Sequence, residues 1–214
     1  MLYFVFDMDG TLLDSQRVYV DGWETVGQKH GIAHMGALLP LVCGMNEAGW
    51  GAFLMERYPT LDLPRFKQEV FAYVEEHQTV RFKPGAKELL DYLKAKGIKM
   101  AVASGTDTPG VKRYLAAVNA LDYFDAVIGG DQVKNGKPAP DIYLKAAQAL
   151  GVDPRDCMAV EDSANGVLSA CAAGMRCIGI PDLDPLDRVA QVVYARLKSL
   201  DQIIGLVEEL VKNS

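Results

Sequence analysis

The chain has 214 residues and a formal net charge of −6, and half of its residues are hydrophobic. This length allows one large domain or a core domain with a smaller partner, and the hydrophobic content is enough for a sizeable core. The negative charge argues against non-specific binding of nucleic acid, which normally needs a basic face or stripe.

The predicted elements begin with a strand at residues 3–6, a continuous apolar run typical of a strand buried on both faces of a parallel sheet. Residues 15–81 break this pattern, because apolar residues recur there at helical spacing and no convincing strand appears. We therefore expect a helical cap domain at 15–81, inserted into an α/β core domain formed by 1–14 and 82–214.

From residue 86 onward, helical and strand patterns alternate. Helices are predicted over residues 86–93, 111–118, 143–150 and 167–171, and strands over 98–103, 126–128, 158–160 and 177–180. Ser199 and Gln202 have the spacing of a capping box that opens a final helix. Such an alternation predicts a doubly wound, Rossmann-like parallel sheet.

Two aspartates, Asp7 and Asp9, directly follow the first predicted strand, and residues two apart in an extended chain point to the same side. Close carboxylates repel each other unless a cation lies between them or one is protonated. Either arrangement suits catalysis, because one carboxylate can attack while the other moves a proton. The plainer alternative is a pair of turn aspartates before Gly10.

Three further polar segments stand at or near the ends of predicted strands. Ser104-Gly105-Thr106 would open a helix, where a hydroxyl and free N–H groups form a small anion site. Glu161-Asp162-Ser163 supplies carboxylate oxygens of the kind that Mg²⁺ prefers. Lys137 lies on a loop stiffened by Pro138 and Pro140, which would hold its ammonium group in place. Each segment alone has a plainer alternative: Ser104 as a helix cap, Glu161-Asp162 as charges that complement a helix dipole, and Lys137 as a surface lysine. Together, the three segments favour one site.

These motifs resemble those of the haloacid dehalogenase superfamily. They are DMDGT at 7–11, the turn at Ser104, GKPAPD at 136–141 and VEDS at 160–163. The likeness is greatest to the branch of β-phosphoglucomutase-like enzymes and sugar-phosphate phosphatases, and it covers nearly the whole chain, including a helical cap. The resemblance implies a magnesium-dependent phosphatase that hydrolyses a small phosphorylated metabolite, with a sugar or sugar-acid phosphate as the expected substrate.

The resemblance also implies catalytic roles. Asp7 would attack phosphorus and become an aspartyl phosphate. Asp9 would protonate the leaving oxygen and then activate the water that hydrolyses the intermediate. Ser104 and Lys137, with Gly105 in the same turn as Ser104, would hold the phosphoryl oxygens.

The implied metal site uses oxygen ligands, which favour Mg²⁺ over zinc or copper. The ligands would be the carboxylates of Asp7 and Asp162 and the backbone carbonyl of Asp9, with Glu161 assisting directly or through water. Superfamily members that remove halide lack the second aspartate, so Asp9 also argues against dehalogenation.

The main alternative is a mutase of the β-phosphoglucomutase type. Such enzymes resemble this chain along most of its length, but they have a histidine at the cap position where Tyr19 stands here. Hydrolysis is therefore favoured. A catalytically silent binding module is a remote alternative, because Asp7, Asp9 and Lys137 are all present.

We expect the cap to determine the substrate specificity. Residues 43–47 resemble the cap turn that reaches toward the leaving group, and Arg17, Tyr19 and Asn46 are the candidate substrate contacts.

No basic segment precedes an apolar run at the amino terminus, and no apolar stretch approaches the ~20 residues that span a bilayer. We expect a cytoplasmic monomer or weak dimer that binds neither membrane nor nucleic acid.

Overall fold

A computed structural model describes residues 2–212, in which six parallel strands form one sheet in the order β3-β2-β1-β4-β5-β6. The strands are β1 (Tyr3–Phe6), β2 (Met100–Ala103), β3 (Ala126–Ile128), β4 (Cys157–Glu161), β5 (Arg176–Gly179) and β6 (Ala195–Arg196). β1 pairs with β2 on one side and with β4 on the other, so the strand order reverses next to β1. Open α/β sheets bind their ligands in the crevice at such a reversal.

Helices cover both faces of the sheet. They are α1 (Arg17–Lys29), α2 (Leu39–Val42), α3 (Glu47–Arg57), α4 (Leu63–His77), α5 (Ala86–Ala95), α6 (Thr108–Ala117), α7 (Asp141–Leu150), α8 (Ala164–Ala172) and α9 (Gln202–Lys212). Alternate side chains of a strand point to opposite faces. Phe4 and Phe6 of β1 accordingly lie in the apolar layer with α5, α6 and α9, whereas Val5 lies in the layer with α7 and α8. The predicted doubly wound sheet is confirmed.

The helices α1 to α4, which lie between β1 and β2 in the chain, have an apolar core of their own. Trp23 of α1 and Phe66 of α4 meet edge to face in this core, with ring centroids 5.8 Å apart. Residues 15–81 contain no strand, which confirms the predicted helical insertion. None of the helices within residues 2–212 is long and apolar enough to cross a membrane.

Two sequence predictions about element ends were wrong. β2 begins at Met100, later than predicted, because the N–H of Ile98 donates to Leu93 O (3.0 Å) and so closes the turn that follows α5. The predicted capping box does not form, since α9 begins at Gln202 itself. The side-chain oxygen of Gln202 accepts from the N–H of Lys198 (2.9 Å) instead of from that of Ser199.

Candidate active site

The turn after β1 brings Asp7 and Asp9 to the carboxyl edge of the sheet. The N–H of Asp7 donates to Val160 O (3.0 Å), which continues the pairing of β1 with β4 beyond the strand end. Gly10 then adopts a φ of +86°, and a Cβ at this position would lie 2.3 Å from Asp162 Oδ2. Only glycine accommodates both the left-handed backbone and the close approach to that carboxylate.

The Asp7 side chain is paired with Lys137 in the interior. Lys137 Nζ lies 2.6 Å from Asp7 Oδ1 and 2.5 Å from Glu161 Oε1, and these three residues are at most 3% exposed. Burial lowers the pKa of Lys137, but the charges of Asp7 and Glu161 outweigh this effect and raise it above its ordinary value. Lys137 is therefore an ammonium group held in place beside Asp7 by two carboxylates.

The Glu161 carboxylate is held on both of its oxygens. Tyr143 OH donates to Oε1 (2.7 Å), while the Ser163 hydroxyl (3.1 Å) and the Asp162 N–H (3.2 Å) donate to Oε2. Gly166 on α8 leaves space for this group, because a Cβ there would lie 1.9 Å from the Glu161 carboxyl. Glu161 thus fixes the position of the ammonium group that faces Asp7.

Three hydroxyl groups hold the Asp9 carboxylate. Ser15 donates to Oδ1 (2.7 Å), and both Ser104 (3.1 Å) and Thr106 (2.8 Å) donate to Oδ2. Sequence reasoning had placed Ser104 against the phosphoryl group and had not assigned roles to Ser15 or Thr106. The only sequence signal for the latter two was their proximity to the motifs that contain Asp9 and Ser104.

Asp7 also belongs to a cluster of three buried carboxylates. Asp7, Glu161 and Asp162 each offer an oxygen within 4.8 Å of the others. Burial, reinforced by repulsion from Asp7 and Glu161, raises the pKa of Asp162 well above its ordinary value. Burial also raises the pKa of Asp7, although Lys137 opposes this effect. A divalent cation would relieve the repulsion, so the donor set fits the predicted Mg²⁺.

The remaining contacts of Asp162 come from two residues that sequence reasoning had not assigned to the site. The Thr11 hydroxyl donates to Asp162 Oδ1 (2.9 Å). Gln16 Nε2 donates to Asp162 Oδ2 (3.0 Å) and also to the backbone oxygen of Asp9 (2.6 Å). The Asp9 carbonyl and the Asp162 carboxylate therefore accept from the same side-chain nitrogen.

The cap turn, residues 43–47, packs directly on the core loops of the site. Gly44 has a φ of +81°, and a Cβ there would lie 2.5 Å from Ser163 Oγ. A Cβ on Gly105 would lie 2.7 Å from Met45 O. The cap turn thus covers both the Ser104 turn and the start of α8, which limits the access of water to the site.

Asn46 and Asn165 hold the cap turn in place. Asn165 Nδ2 donates to Cys43 O (3.0 Å) and to Leu41 O (3.2 Å) across the boundary between core and cap. Asn46 caps α3 by accepting from the Gly49 N–H (3.0 Å), and its side chain packs against Gly136, next to Lys137.

The other two predicted substrate contacts lie in different settings. Burial is the main cause that raises the pKa of Tyr19, and the neighbouring Tyr114 of α6 and the charge of Asp9 raise it further. Arg17 is exposed, and within residues 2–212 it pairs with Asp182 (3.5 Å) and Asp14 (3.9 Å) and with neither Asp7 nor Asp9. The structure thus brings Tyr19, but not Arg17, toward the aspartates.

Comparison with known proteins gives the same picture as the geometry. A family model of haloacid dehalogenase-like hydrolases matches residues 1–174. The phosphorylated carbohydrates phosphatase of Thermotoga maritima is 34% identical over 174 residues, which is 80% of this chain and 81% of that protein. Hexitol phosphatase A of Escherichia coli K12 is 32% identical over 201 residues, which is 94% of this chain and 92% of that protein.

A solved structure is similar over almost its full length. The "putative beta-phosphoglucomutase" from Thermotoga maritima is 31% identical in sequence, with a TM-score of 0.75. The match covers 98% of this chain and 99% of that one. The likeness therefore includes both the sheet and the helical cap.

Proposed function

The chain belongs to the haloacid dehalogenase-like hydrolases, and on this premise we propose that it is a magnesium-dependent phosphatase with Asp7 as nucleophile. Like its named relatives, it is a phosphoric monoester hydrolase. The observation that carries the mechanism is the buried contact of Asp7 with Lys137 (2.6 Å), beside a second aspartate fixed by three hydroxyls. A paired carboxylate and ammonium at the sheet edge suit attack on an anionic phosphorus centre.

The proposed reaction has two steps. In the first, an oxygen of Asp7 bonds to phosphorus, the ester P–O bond breaks, and Asp9 gives its proton to the leaving oxygen. In the second, water attacks the same phosphorus, Asp9 takes a proton from that water, and the bond to Asp7 breaks to release inorganic phosphate. Lys137 neutralises charge on the phosphoryl oxygens throughout. The Gly105 N–H holds those oxygens together with the Ser104 hydroxyl, which would have to turn from Asp9 Oδ2 to the phosphoryl group.

We propose that the cation is held by the carboxylates of Asp7 and Asp162 and by the Asp9 carbonyl. When bound, Mg²⁺ supplies further positive charge for the phosphoryl oxygens. Glu161 would assist directly or through water, and its contact with Lys137 (2.5 Å) supports a role through that ammonium group.

The proposed substrate is a phosphorylated sugar or sugar acid, and the names of two relatives, a phosphatase of phosphorylated carbohydrates and one of hexitols, support the carbohydrate class. Tyr19 and Asn46, which lie on the cap side of the site, are proposed to contact its leaving group. Arg17 stays a proposed contact that would require a rearrangement of its ion pair with Asp182. A cytoplasmic location and a monomer or weak dimer stay predictions from the sequence.

We propose domain boundaries near residues 14–15 and 81–82. The chain passes from core to cap at the first boundary and returns at the second. The two segments are hydrogen-bonded to each other, because the Asp14 N–H donates to Arg81 O (3.0 Å) and Leu13 forms a β-bridge with Phe82. A paired crossing of this kind suits a hinge between cap and core.

A mutase is the second candidate function, favoured by the similarity to the Thermotoga maritima structure over 98% of this chain. It would need a different hydroxyl group of the sugar, and not water, to take the phosphoryl group from Asp7. Tyr19, which neighbours Tyr114 and Asp9, stands where mutases have a histidine, and this difference supports hydrolysis.

The function is tested with a panel of phosphorylated sugars, sugar acids and glycolytic intermediates in the presence of Mg²⁺. Released inorganic phosphate and isomerised sugar phosphate are both measured. We expect loss of at least one ester to yield an equal amount of inorganic phosphate, and excess EDTA to stop the reaction. Accumulation of an isomer without release of phosphate would establish the mutase instead.

A further inference from the structure

Gln16 is a buried residue that contacts the proposed cation ligands. Its side chain is 7% exposed, and it follows the turn that carries Asp9, just before α1 begins. Nε2 donates to the Asp9 backbone oxygen (2.6 Å) and to Asp162 Oδ2 (3.0 Å). A Cβ on Gly10 would lie 2.5 Å from this nitrogen, so the amide group is closely packed on its other side as well.

The two oxygens that Gln16 contacts are two of the three proposed to hold the cation. A carboxamide nitrogen donates two hydrogen bonds and offers no lone pair to a metal. It can therefore stabilise these oxygens in place of a cation, but it cannot ligate one.

We propose that the Gln16 amide and the divalent cation compete for Asp9 O and Asp162 Oδ2, so that Gln16 must release both oxygens when the cation binds. This inference rests on the cation site proposed above. Without the cation, the amide offsets part of the cost of two buried acceptors that would otherwise lack a donor. Gln16 thus stabilises the folded protein before the cation binds and weakens the binding of the cation.

The oxygen of the Gln16 amide connects the competition between amide and cation to the cap. Gln16 Oε1 accepts from the thiol of Cys43 (3.3 Å), and Cys43 is the first residue of the cap turn. Rotation of the amide away from Asp9 and Asp162 would break or redirect this bond. Binding of the cation is therefore expected to change the contact between α1 and the cap turn.

The first test replaces Gln16 with methionine, which has a similar length and cannot donate a hydrogen bond. The matched control is Gln132→Met, because Gln132 Nε2 also donates to two oxygens, those of Thr108 (2.8 Å) and Val127 (3.2 Å). Neither of these oxygens belongs to the proposed cation site. MgCl₂ alone is titrated into each protein by calorimetry, and thermal unfolding is followed in EDTA.

We expect Gln16→Met to bind Mg²⁺ about tenfold more tightly than the wild type, because the two hydrogen bonds no longer have to be broken. Its melting temperature in EDTA should fall, while Gln132→Met should keep the wild-type affinity. An unchanged Mg²⁺ affinity in Gln16→Met would overturn the inference. A weaker affinity would overturn it too, since the amide oxygen would then be a ligand.

A second measurement uses the wild type and so does not depend on the stability of a variant. In a ¹⁵N-edited NMR titration with MgCl₂, the side-chain NH₂ resonances of Gln16 should shift while those of Gln132 stay in place. If calorimetry shows Mg²⁺ binding and the Gln16 resonances do not move, this inference alone fails. If the wild type binds no Mg²⁺, the cation in the proposed function fails, and this inference fails with it.

Discussion

Lys137 Nζ lies 2.6 Å from Asp7 Oδ1, and both side chains are almost wholly buried. The two residues come from distant parts of the chain, one directly after β1 and the other from the loop before α7. Burial of a charge is tolerated only with a partner of opposite sign and further hydrogen bonds. Glu161 supplies both, because it accepts from the same ammonium group at 2.5 Å.

Replacement of Lys137 by methionine should leave Asp7 and Glu161 as neighbouring buried carboxylates without a counter-charge. We expect a loss of about 3 kcal/mol in the free energy of unfolding, measured by urea denaturation in EDTA. With Mg²⁺ present, kcat should fall at least ~100-fold, because the developing charge loses a fixed donor. Lys145→Met is the matched control, since Lys145 donates to the Gln132 backbone oxygen and, within residues 2–212, to no carboxylate of the site, and it should keep kcat. Wild-type turnover by Lys137→Met would contradict the role given to Lys137.

Thr106 is expected to hold Asp9 in the orientation needed for proton transfer. Thr106→Val removes one of the three hydroxyls on that carboxylate, and we expect kcat to fall about tenfold with a smaller change in KM. Thr108→Val is the control, because Thr108 donates to Asp131 on the protein surface. Equal kcat values for the two variants would show that the Thr106 hydroxyl does not position Asp9.

Tyr143 should stabilise the site through Glu161 without touching the substrate. Tyr143→Phe removes a buried hydroxyl that donates to Glu161 Oε1 (2.7 Å). The free energy of unfolding should fall by about 1–3 kcal/mol, since the bond is made to a charged group. Tyr123→Phe, which removes an exposed hydroxyl bonded to Asp91, should change stability much less. Equal losses of unfolding free energy in the two variants would show that the buried hydrogen bond to Glu161 stabilises the protein no more than the exposed bond to Asp91 does.

Asn165 is expected to hold the cap turn against the core. Asn165→Ala removes the donor to Cys43 O and Leu41 O, so the amides of residues 43–47 should exchange with deuterium faster than in the wild type. The amides of β1 and β4 serve as an internal reference and should keep their rates. Unchanged exchange in the cap turn would show that Asn165 does not restrain the cap.

The sheet could be predicted from the sequence because its strands are apolar runs with clear helical patterns between them. β6 could not, since Ala195–Arg196 is too short to show a pattern and exists through its pairing with Ile178 and Gly179 of β5. The capping box could not be judged from spacing alone either. Ser199 and Gln202 have the right spacing, but the tertiary backbone conformation places the Gln202 side-chain oxygen at the N–H of Lys198.

Much of the site could also be predicted, because Asp7, Asp9, Glu161 and Asp162 occur in short motifs at strand ends. The residues that support them could not be predicted. Gln16, Thr106 and Tyr143 reach the site through the geometry of turns and helices, and their side-chain directions depend on tertiary packing. No motif pointed to Gln16 or Tyr143, and Thr106 was part of the Ser104 turn without a role of its own, although each donates to a carboxylate or carbonyl of the site.

The central claim is that Asp7 carries the phosphoryl group, and peptide mass spectrometry of acid-quenched enzyme tests it most directly. The enzyme is mixed with Mg²⁺ and its best substrate, quenched within the first turnover, digested and analysed. We predict a phosphoryl group on Asp7, its removal by hydroxylamine, and neither label nor turnover in Asp7→Asn. Asp21→Asn, an exposed cap variant, should label like the wild type. A phosphoryl group on another residue, or continued turnover by Asp7→Asn, would contradict the account.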